Sequence, residues 1–482
     1  MYRCPLAQIL FVCAFAFAIG CAVGDIKIQM AQDGPDSGGS DLPTPVLDAR
    51  VVLDAYYPDL AVQSAPLDAP SAPMDARSAP LDAENRDAEQ CGNGICGIGE
   101  TQDNCCSDCG CRSSAVCDQR ACIVPIGLAA GGSHSCLLLD DGTALCWGGD
   151  SFGELGNGST SGTPTPTRVV ALSGATLIAA GGTFTCALLA EQTVKCWGDN
   201  SAGQLGNGSK TNSTVPVSVS NLTGVTSISA GYDYACAVVS GGGAKCWGNN
   251  SAGQLGDGST SQSSLPVDVK ALTGVAGIAS GFNSTCARLA DGSARCWGDN
   301  TYGQLGNGTG ANSIAPTPVL SLTSVVGIAA YYTATPLFVS DNQEGSFCAV
   351  LADGSVKCWG SNALSELGTT GLSQARPITV QSVAGASQVV GGKSFACALA
   401  SGAVACWGYN GSGQLGSVTS ANTSMVALPV SGLGAATAIA AGSMHACALL
   451  SDASVYCWGD NIYNELGNDA MTSSAVPVSV FR

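Results

Sequence analysis

Twenty-five of the 482 residues are cysteine and two are histidine, so whatever chemistry this chain carries is chiefly thiol chemistry. A thiolate can bind a soft metal, attack as a nucleophile or close a disulfide, and spacing separates these options. Fourteen cysteines fall into seven pairs: Cys136 and Cys146, Cys186 and Cys196, Cys236 and Cys246, Cys286 and Cys296, Cys348 and Cys358, Cys397 and Cys406, Cys447 and Cys457. Six pairs are 10 residues apart and one is 9 apart. Asp140-Asp141-Gly142 lies inside the first pair. A three-residue hairpin loop with Gly142 in the left-handed conformation pairs Leu139 with Thr143 and, counting outward, Cys136 with Cys146. Gly292 and Gly354 allow the same turn in later pairs. The shorter pair has a two-residue Ser401-Gly402 turn, which again sets its cysteines opposite each other. All such pairs fall at non-hydrogen-bonded positions, where Cα atoms approach to about 4.5 Å and a disulfide can close. Ala190-Glu191-Gln192 and Ser451-Asp452-Ala453 lack the glycine. Free buried thiols are the rival reading.

Eight further cysteines crowd residues 91–122: Cys91, Cys96, Cys105, Cys106, Cys109, Cys111, Cys117 and Cys122. Cys106 and Cys109 have the spacing of half a zinc site. An even count in so short a stretch, behind an export signal, reads as a disulfide framework, and its connectivity is open. Asn93, Glu100, Asp103 and Asp108 supply oxygen donors for a weak calcium candidate, although turn-forming residues produce the same composition. Gly203 and Gly208 with Ser209-Lys210-Thr211 approach a phosphate loop, but the lysine is one place late and the other repeats lack it. His134 and His445 occupy matching positions two residues before the first cysteines of the first and last pairs. No nucleophile, base and orienting group assemble, so neither catalytic residues nor a cofactor are expected.

The elements that must position these residues divide the chain into four parts. Residues 1–20 read as a signal peptide: Arg3, then an apolar run from Leu6 to Ile19, too short to span a bilayer. Ala18-Ile19-Gly20-Cys21 resembles a bacterial lipobox, which implies lipidation at Cys21 and an outer-membrane or extracellular location. Residues 21–90 form an acidic tether rich in Pro, Ala, Ser and Asp, which buries too little apolar surface to order itself. Residues 91–122 are the cysteine-rich module. Residues 123–482 are one repeat array.

All seven tryptophans sit in Cys-Trp-Gly, at Trp147, Trp197, Trp247, Trp297, Trp359, Trp407 and Trp458. Each is followed by a turn of the Gly203-Gln-Leu-Gly206 type, then by a β-prone run around proline such as Val215-Pro-Val-Ser-Val219. Short strands at roughly 10-residue intervals mean about four per unit, and seven four-stranded units can close into a ring. The fold expected is therefore all-β, a seven-bladed propeller of four-stranded blades. The repeated Ala-Gly-Gly-x-x-x-Cys-x-Leu-Leu, Asp-Gly, Trp-Gly-x-Asn and Gly-Gln-Leu-Gly-x-Gly pattern resembles the regulator of chromosome condensation family over about 360 residues. The resemblance implies a seven-bladed propeller. The family's eukaryotic founder exchanges guanine nucleotide on a nuclear GTPase, and secreted bacterial relatives include a protein inhibitor of β-lactamases.

A net charge of −18 argues against nucleic acid as a partner. The function expected is a monomeric, non-catalytic, surface-tethered module for a protein or glycan partner, touching the membrane only by its lipid. Nucleotide exchange, other enzyme regulation and a structural envelope role are the alternatives. In a four-stranded blade the first and third connections share a face, and loops on rigid scaffolds carry binding. His134, Phe184, Tyr234, Phe395 and His445 vary at one height near that face, and repeat five inserts 12 residues there, with Tyr331, Tyr332 and Phe338. These eight residues are the expected binding face.

Overall fold

Strand β3 (Pro125–Ala130), β4 (His134–Leu139), β5 (Ala144–Gly148) and β6 (Thr163–Arg168) form one antiparallel sheet in chain order. The structure is a computed structural model and describes residues 116–118, 121–334, 343–419 and 421–481. The signal segment, Cys21, the tether and Asn93, Glu100, Asp103 and Asp108 lie outside the described residues, as does Phe338. Within them, six more sheets repeat the first, giving seven four-stranded blades. A separate hairpin, β1 (Val116–Asp118) with β2 (Ala121–Ile123), precedes the array and sets Cys117 opposite Cys122 in register.

The sequence explains the order of strands within a blade. His134-Ser-Cys-Leu-Leu-Leu139 has no exposed position, which suits an interior strand with neighbours on both sides. The fourth strands carry the prolines (Pro164, Pro216, Pro266 and Pro477 among them), and a residue without an N–H is tolerated where no further strand pairs. Those prolines also blunt an outer edge that would otherwise template aggregation.

Each of the seven blade disulfides is closed within its own hairpin, with Cα atoms 4.0–4.1 Å apart. The two turns without glycine adopt the same geometry, with Gln192 and Ala453 in the left-handed region at φ 62. Ser401 and Gly402 are both left-handed, at φ 49 and 84, as the tight two-residue hairpin turn requires.

The core lies between blades as seven layers of one composition. The disulfide of one blade packs against the tryptophan of the next: Cys136 and Cys146 with Trp197, Cys186 and Cys196 with Trp247, and so on to Cys447 and Cys457 with Trp147. That last layer joins the seventh blade to the first and closes the ring. Each sheet is drawn from one continuous stretch of chain, so closure rests on packing and not on an exchanged strand. Along the axis the first strands, through residues such as Leu128, Ala130, Ala180, Ile228, Ser280 and Ile439, line a cavity of about 600 Å³.

Candidate functional site

The loop after each Trp-Gly is built around the indole of the following blade. Trp197 Nε1 donates to Glu154 O at 2.9 Å, Trp247 Nε1 to Gln204 O at 2.8 Å, and Trp147 Nε1 to Glu465 O at 2.8 Å across the closure. Leu155, Leu205, Leu255 and their equivalents are fully buried beneath the loop. Gly206, at φ 66, faces the Trp247 ring so closely that a Cβ there would collide with Nε1. First and third connections share one face, as Gly149 N donates to Ser133 O at 2.8 Å and Asn249 Nδ2 to Asp233 Oδ2 at 2.9 Å.

The expected ring of binding residues is sealed inside this frame. His134, Phe184, Tyr234, Phe395 and His445 are fully buried, and so is Tyr331. The tight first connection folds each ring back against its own glycine: a Cβ on Gly131 would meet the His134 imidazole. From there each ring meets the residue just before the first cysteine of the next blade. His134 Nε2 lies 2.8 Å from Thr185 Oγ1, the Tyr234 hydroxyl 2.9 Å from Thr285 Oγ1, and His445 Nε2 2.9 Å from Ser135 Oγ. Phe184 and Phe395 carry no polar tip and pack with Ala235 and Ala446. Between the fourth and fifth blades the sizes reverse, with Ser284 small and Phe347 large. In the fifth blade Tyr331 replaces the glycine and Ser346 the aromatic ring, and Tyr331 packs against Gly391 and Ala396 of the sixth. Variation at this height is therefore complementary packing between neighbours. The Tyr332 side chain and all of Phe338 lie outside the described residues.

What the loops present instead is the position two residues earlier. Tyr232 is 39% exposed and stacks on the half-buried Phe282 of the next blade, with centroids 4.4 Å apart and planes inclined by 24°. Register places Tyr332 at the corresponding position of the fifth blade. The third connections add exposed Phe152, Ile462 and Tyr463 to the same face. Acids lie beneath this shelf. Burial pushes the Asp233 carboxyl up to about 6, and nearby Asp199 adds to the rise. Asp199 is held in place by Gln204 Nε2 at 2.7 Å and Ser201 Oγ at 2.9 Å. Burial, then Asp233 and Asp199, raises the Tyr232 phenol above its ordinary value.

The profile "Regulator of chromosome condensation (RCC1) repeat" matches residues 141–188, 194–238, 246–288, 291–331 and 401–449, and a second profile of that description matches 126–154, 175–204, 225–254, 275–304 and 436–465. Together they span more than half of the chain. This protein belongs to the RCC1 repeat family. Among solved RCC1-like propellers, human WBSCR16 is 22% identical, with 70% of this chain and 94% of that one covered at a TM-score of 0.61. Prp20p of Saccharomyces cerevisiae, studied for its binding to Gsp1p and histones, is 19% identical, with 74% and 88% covered at 0.59. The complex of Kap60 bound to yeast RCC1 matches at 19%, with 74% and 85% covered and the same TM-score. No curated protein matches the chain. Neither RCC1 profile reaches 332–400, the stretch that holds most of the insertion and Ser346, yet blades five and six each form a four-stranded sheet.

Inside the RCC1 frame, Ser135 and His445 have the separation of a nucleophile and its base. They do not work as one. Both are sealed from solvent, burial lowers the His445 imidazole to about 3 with His134 adding to the fall, and its Nδ1 has no orienting partner. Among the described residues no three His, Cys, Asp or Glu side chains are grouped to hold a metal ion. Sequence reasoning chose the varying position nearest the cysteine. The position two residues earlier, occupied by Gly132, Gly182, Tyr232, Phe282, Tyr332, Lys393 and Ser443, was named only through Tyr332; it exposes Tyr232 and carried its own signal in three successive aromatics.

Proposed function

We propose that this RCC1-repeat propeller is a non-catalytic binding module, exported and tethered through Cys21, which holds a protein partner on its loop face. The observation that carries the reading is the Tyr232–Phe282 stack. Two aromatic rings at the mouth of a rigid, disulfide-locked ring present contact area that loses little side-chain entropy on binding. The binding of Prp20p to Gsp1p belongs to that protein, and at 19% identity the likeness carries the fold and not the partner. The test compares wild-type protein with a Tyr232→Ser/Phe282→Ser variant as bait in crosslinking from the producing organism's envelope extract. The expected result is a defined protein crosslinked by wild type and lost by the variant, both baits melting at the same temperature. Equal recovery by both baits, or none by either, sinks the reading. Radiolabelled palmitate incorporation that depends on Cys21 tests the tether separately, and cytosolic fractionation without label would favour nucleotide exchange.

A further inference from the structure

The loop after each third strand is closed by a polar clasp. Six blades supply an asparagine for it: Asn200, Asn250, Asn300, Asn362, Asn410 and Asn461. Its Oδ1 accepts from the leucine N–H five residues on, at 3.0 Å for Leu205 and 2.9 Å for Leu255. Its Nδ2 donates back into the loop. Asn200 Nδ2 lies 3.0 Å from Thr211 O, 3.2 Å from Ser209 O, 3.1 Å from Ser209 Oγ and 3.4 Å from Asn207 Oδ1. Asn250 and Asn300 repeat this set.

The first blade breaks the pattern with Asp150. Half of the clasp survives, because Asp150 Oδ1 accepts Leu155 N–H at 2.9 Å and so fixes the plane of the carboxyl. Oδ2 then stands where the other blades place a donor. Asp150 is 1% exposed, and this oxygen is buried with no hydrogen-bond partner. The surrounding loop is unchanged. Gly153, Gly156 and Gly158 have φ values of 89, 67 and 85, against 87, 66 and 84 at Gly203, Gly206 and Gly208. Ser159 N donates to Asn157 Oδ1 at 2.8 Å, as Ser209 N does to Asn207 Oδ1 at 3.0 Å. By this correspondence Asn157, Ser159 and Ser161 take the places of Asn207, Ser209 and Thr211, whose oxygens receive the Asn200 amide, and the first blade sets a carboxylate oxygen with no hydrogen-bond partner where that amide donates.

We propose that this loop of the first blade binds a calcium ion, held by the Asp150 carboxylate and by the oxygens of Asn157, Ser159 and Ser161. One carboxylate combined with carbonyl and hydroxyl oxygens on an irregular loop is calcium chemistry. Spacings of 3.0–3.4 Å, seen around the amide nitrogen of Asn200, match neighbouring oxygens in a shell of about 2.4 Å radius. The magnesium shell, at about 2.0–2.1 Å and near-ideal octahedral, is tighter than the loop provides. A proton is the ion's competitor for the same oxygen, because burial, with Glu154 adding to it, pushes the Asp150 carboxyl up to about 7. A single formal charge sets the dissociation constant in the range of about 10⁻⁴–10⁻³ M.

The test is thermal unfolding of the full chain near pH 8, where the proton competes least, in EDTA, in about 10 mM calcium and in about 10 mM magnesium. Wild type should melt about 2–4 °C higher in calcium than in EDTA, with little change in magnesium. Asp150→Asn, which restores the amide of the other six blades, should lose that response and melt higher than wild type in EDTA. A wild type indifferent to calcium overturns the site. So does an equal rise in wild type and variant, which would put the ion elsewhere in the chain, and so does stabilisation by acid alone, which would make the proton the occupant. Asn250→Asp, facing Asp257 across the same loop, transplants the site: its melting temperature should fall in EDTA and recover in calcium. Failure to recover means the loop oxygens do not bind the ion.

Discussion

Replacing Tyr331 by glycine tests whether the rings between blades are interlocking parts or interchangeable filler. Tyr331 is fully buried against the sixth blade, so its removal empties a volume that rigid sheets on either side cannot collapse into. A truncation of this size costs about 3–5 kcal/mol. The glycine itself is the residue that the other blades carry there, as at Gly131, Gly181 and Gly231, so backbone strain adds nothing. Those blades fill the space from the position of His134, Phe184 and Tyr234, where the fifth blade has Ser346. Adding Ser346→Phe to Tyr331→Gly therefore rebuilds the common arrangement, and the pair should recover about 2 kcal/mol of the loss. Ser346→Phe alone, with Tyr331 still present, overpacks and should destabilise by about 1–3 kcal/mol. Urea unfolding of the four proteins with disulfides intact measures the coupling. A double variant no more stable than Tyr331→Gly, or a harmless Ser346→Phe, would refute the exchange.

Acid should weaken the junctions on either side of the first blade. Burial lowers the His134 imidazole to about 4 and that of His445 to about 3, whereas the unfolded chain titrates near 6.5. Below that value the unfolded state binds protons that the fold refuses, so their contribution is complete above about pH 6.5 and is lost as pH falls toward 4, on the order of 3 kcal/mol for His134. Asp150, Asp233 and Glu465, raised above ordinary carboxyl values, act with the opposite sign, so the histidine share is read as a difference. His134→Phe with Thr185→Ala, copying Phe184 and Ala235, should flatten the profile between pH 4 and 6.5, and an unchanged slope in acid melts would count against it. Gln192→Gly and Ala453→Gly relieve left-handed residues in two hairpin turns, and each should raise stability by up to about 1 kcal/mol in urea titrations. Non-reducing mass spectrometry should find each of the seven bridges within a single hairpin peptide, and a bridge between repeats would contradict the register.

The blades and their bridges were legible because two short-range rules agree. Turn length fixes register and strand alternation fixes side, so Cys397 and Cys406 stay opposite even with one residue fewer between them. Six of the eight residues expected on the binding face are buried instead, because variation in a sequence does not say which way a three-residue connection turns a side chain. His134 and Tyr232 are both variable positions near a glycine, and only the fold shows one beneath the loop and the other above it. The complementarity was visible in principle, since His134 with Thr185 and Phe184 with Ala235 are partners 51 residues apart. It needed knowledge of which faces meet. Asp150 likewise stands out only once the Asn200 clasp shows what that position does in the other blades. In the cysteine-rich module only one backbone relation was added, Cys117 opposite Cys122.

Each of the seven described bridges joins cysteines nine or ten residues apart, and none of these ties one blade to another. A chain that emerges N-terminus first can thus oxidise each hairpin as soon as its own turn has formed, before the next repeat exists to offer a wrong partner. The correct thiol is held close by a short loop, while the cysteines of neighbouring blades lie about 40 residues or more away, and the longer loop is entropically costlier to close. Fourteen cysteines then reach one pairing without reshuffling, and the ring's last event is non-covalent: the seventh blade meets the first through Trp147 and His445. That seam is the one interblade layer whose two sides come from opposite ends of the array, so it needs the last repeat before it can form, and a terminal truncation removes it first.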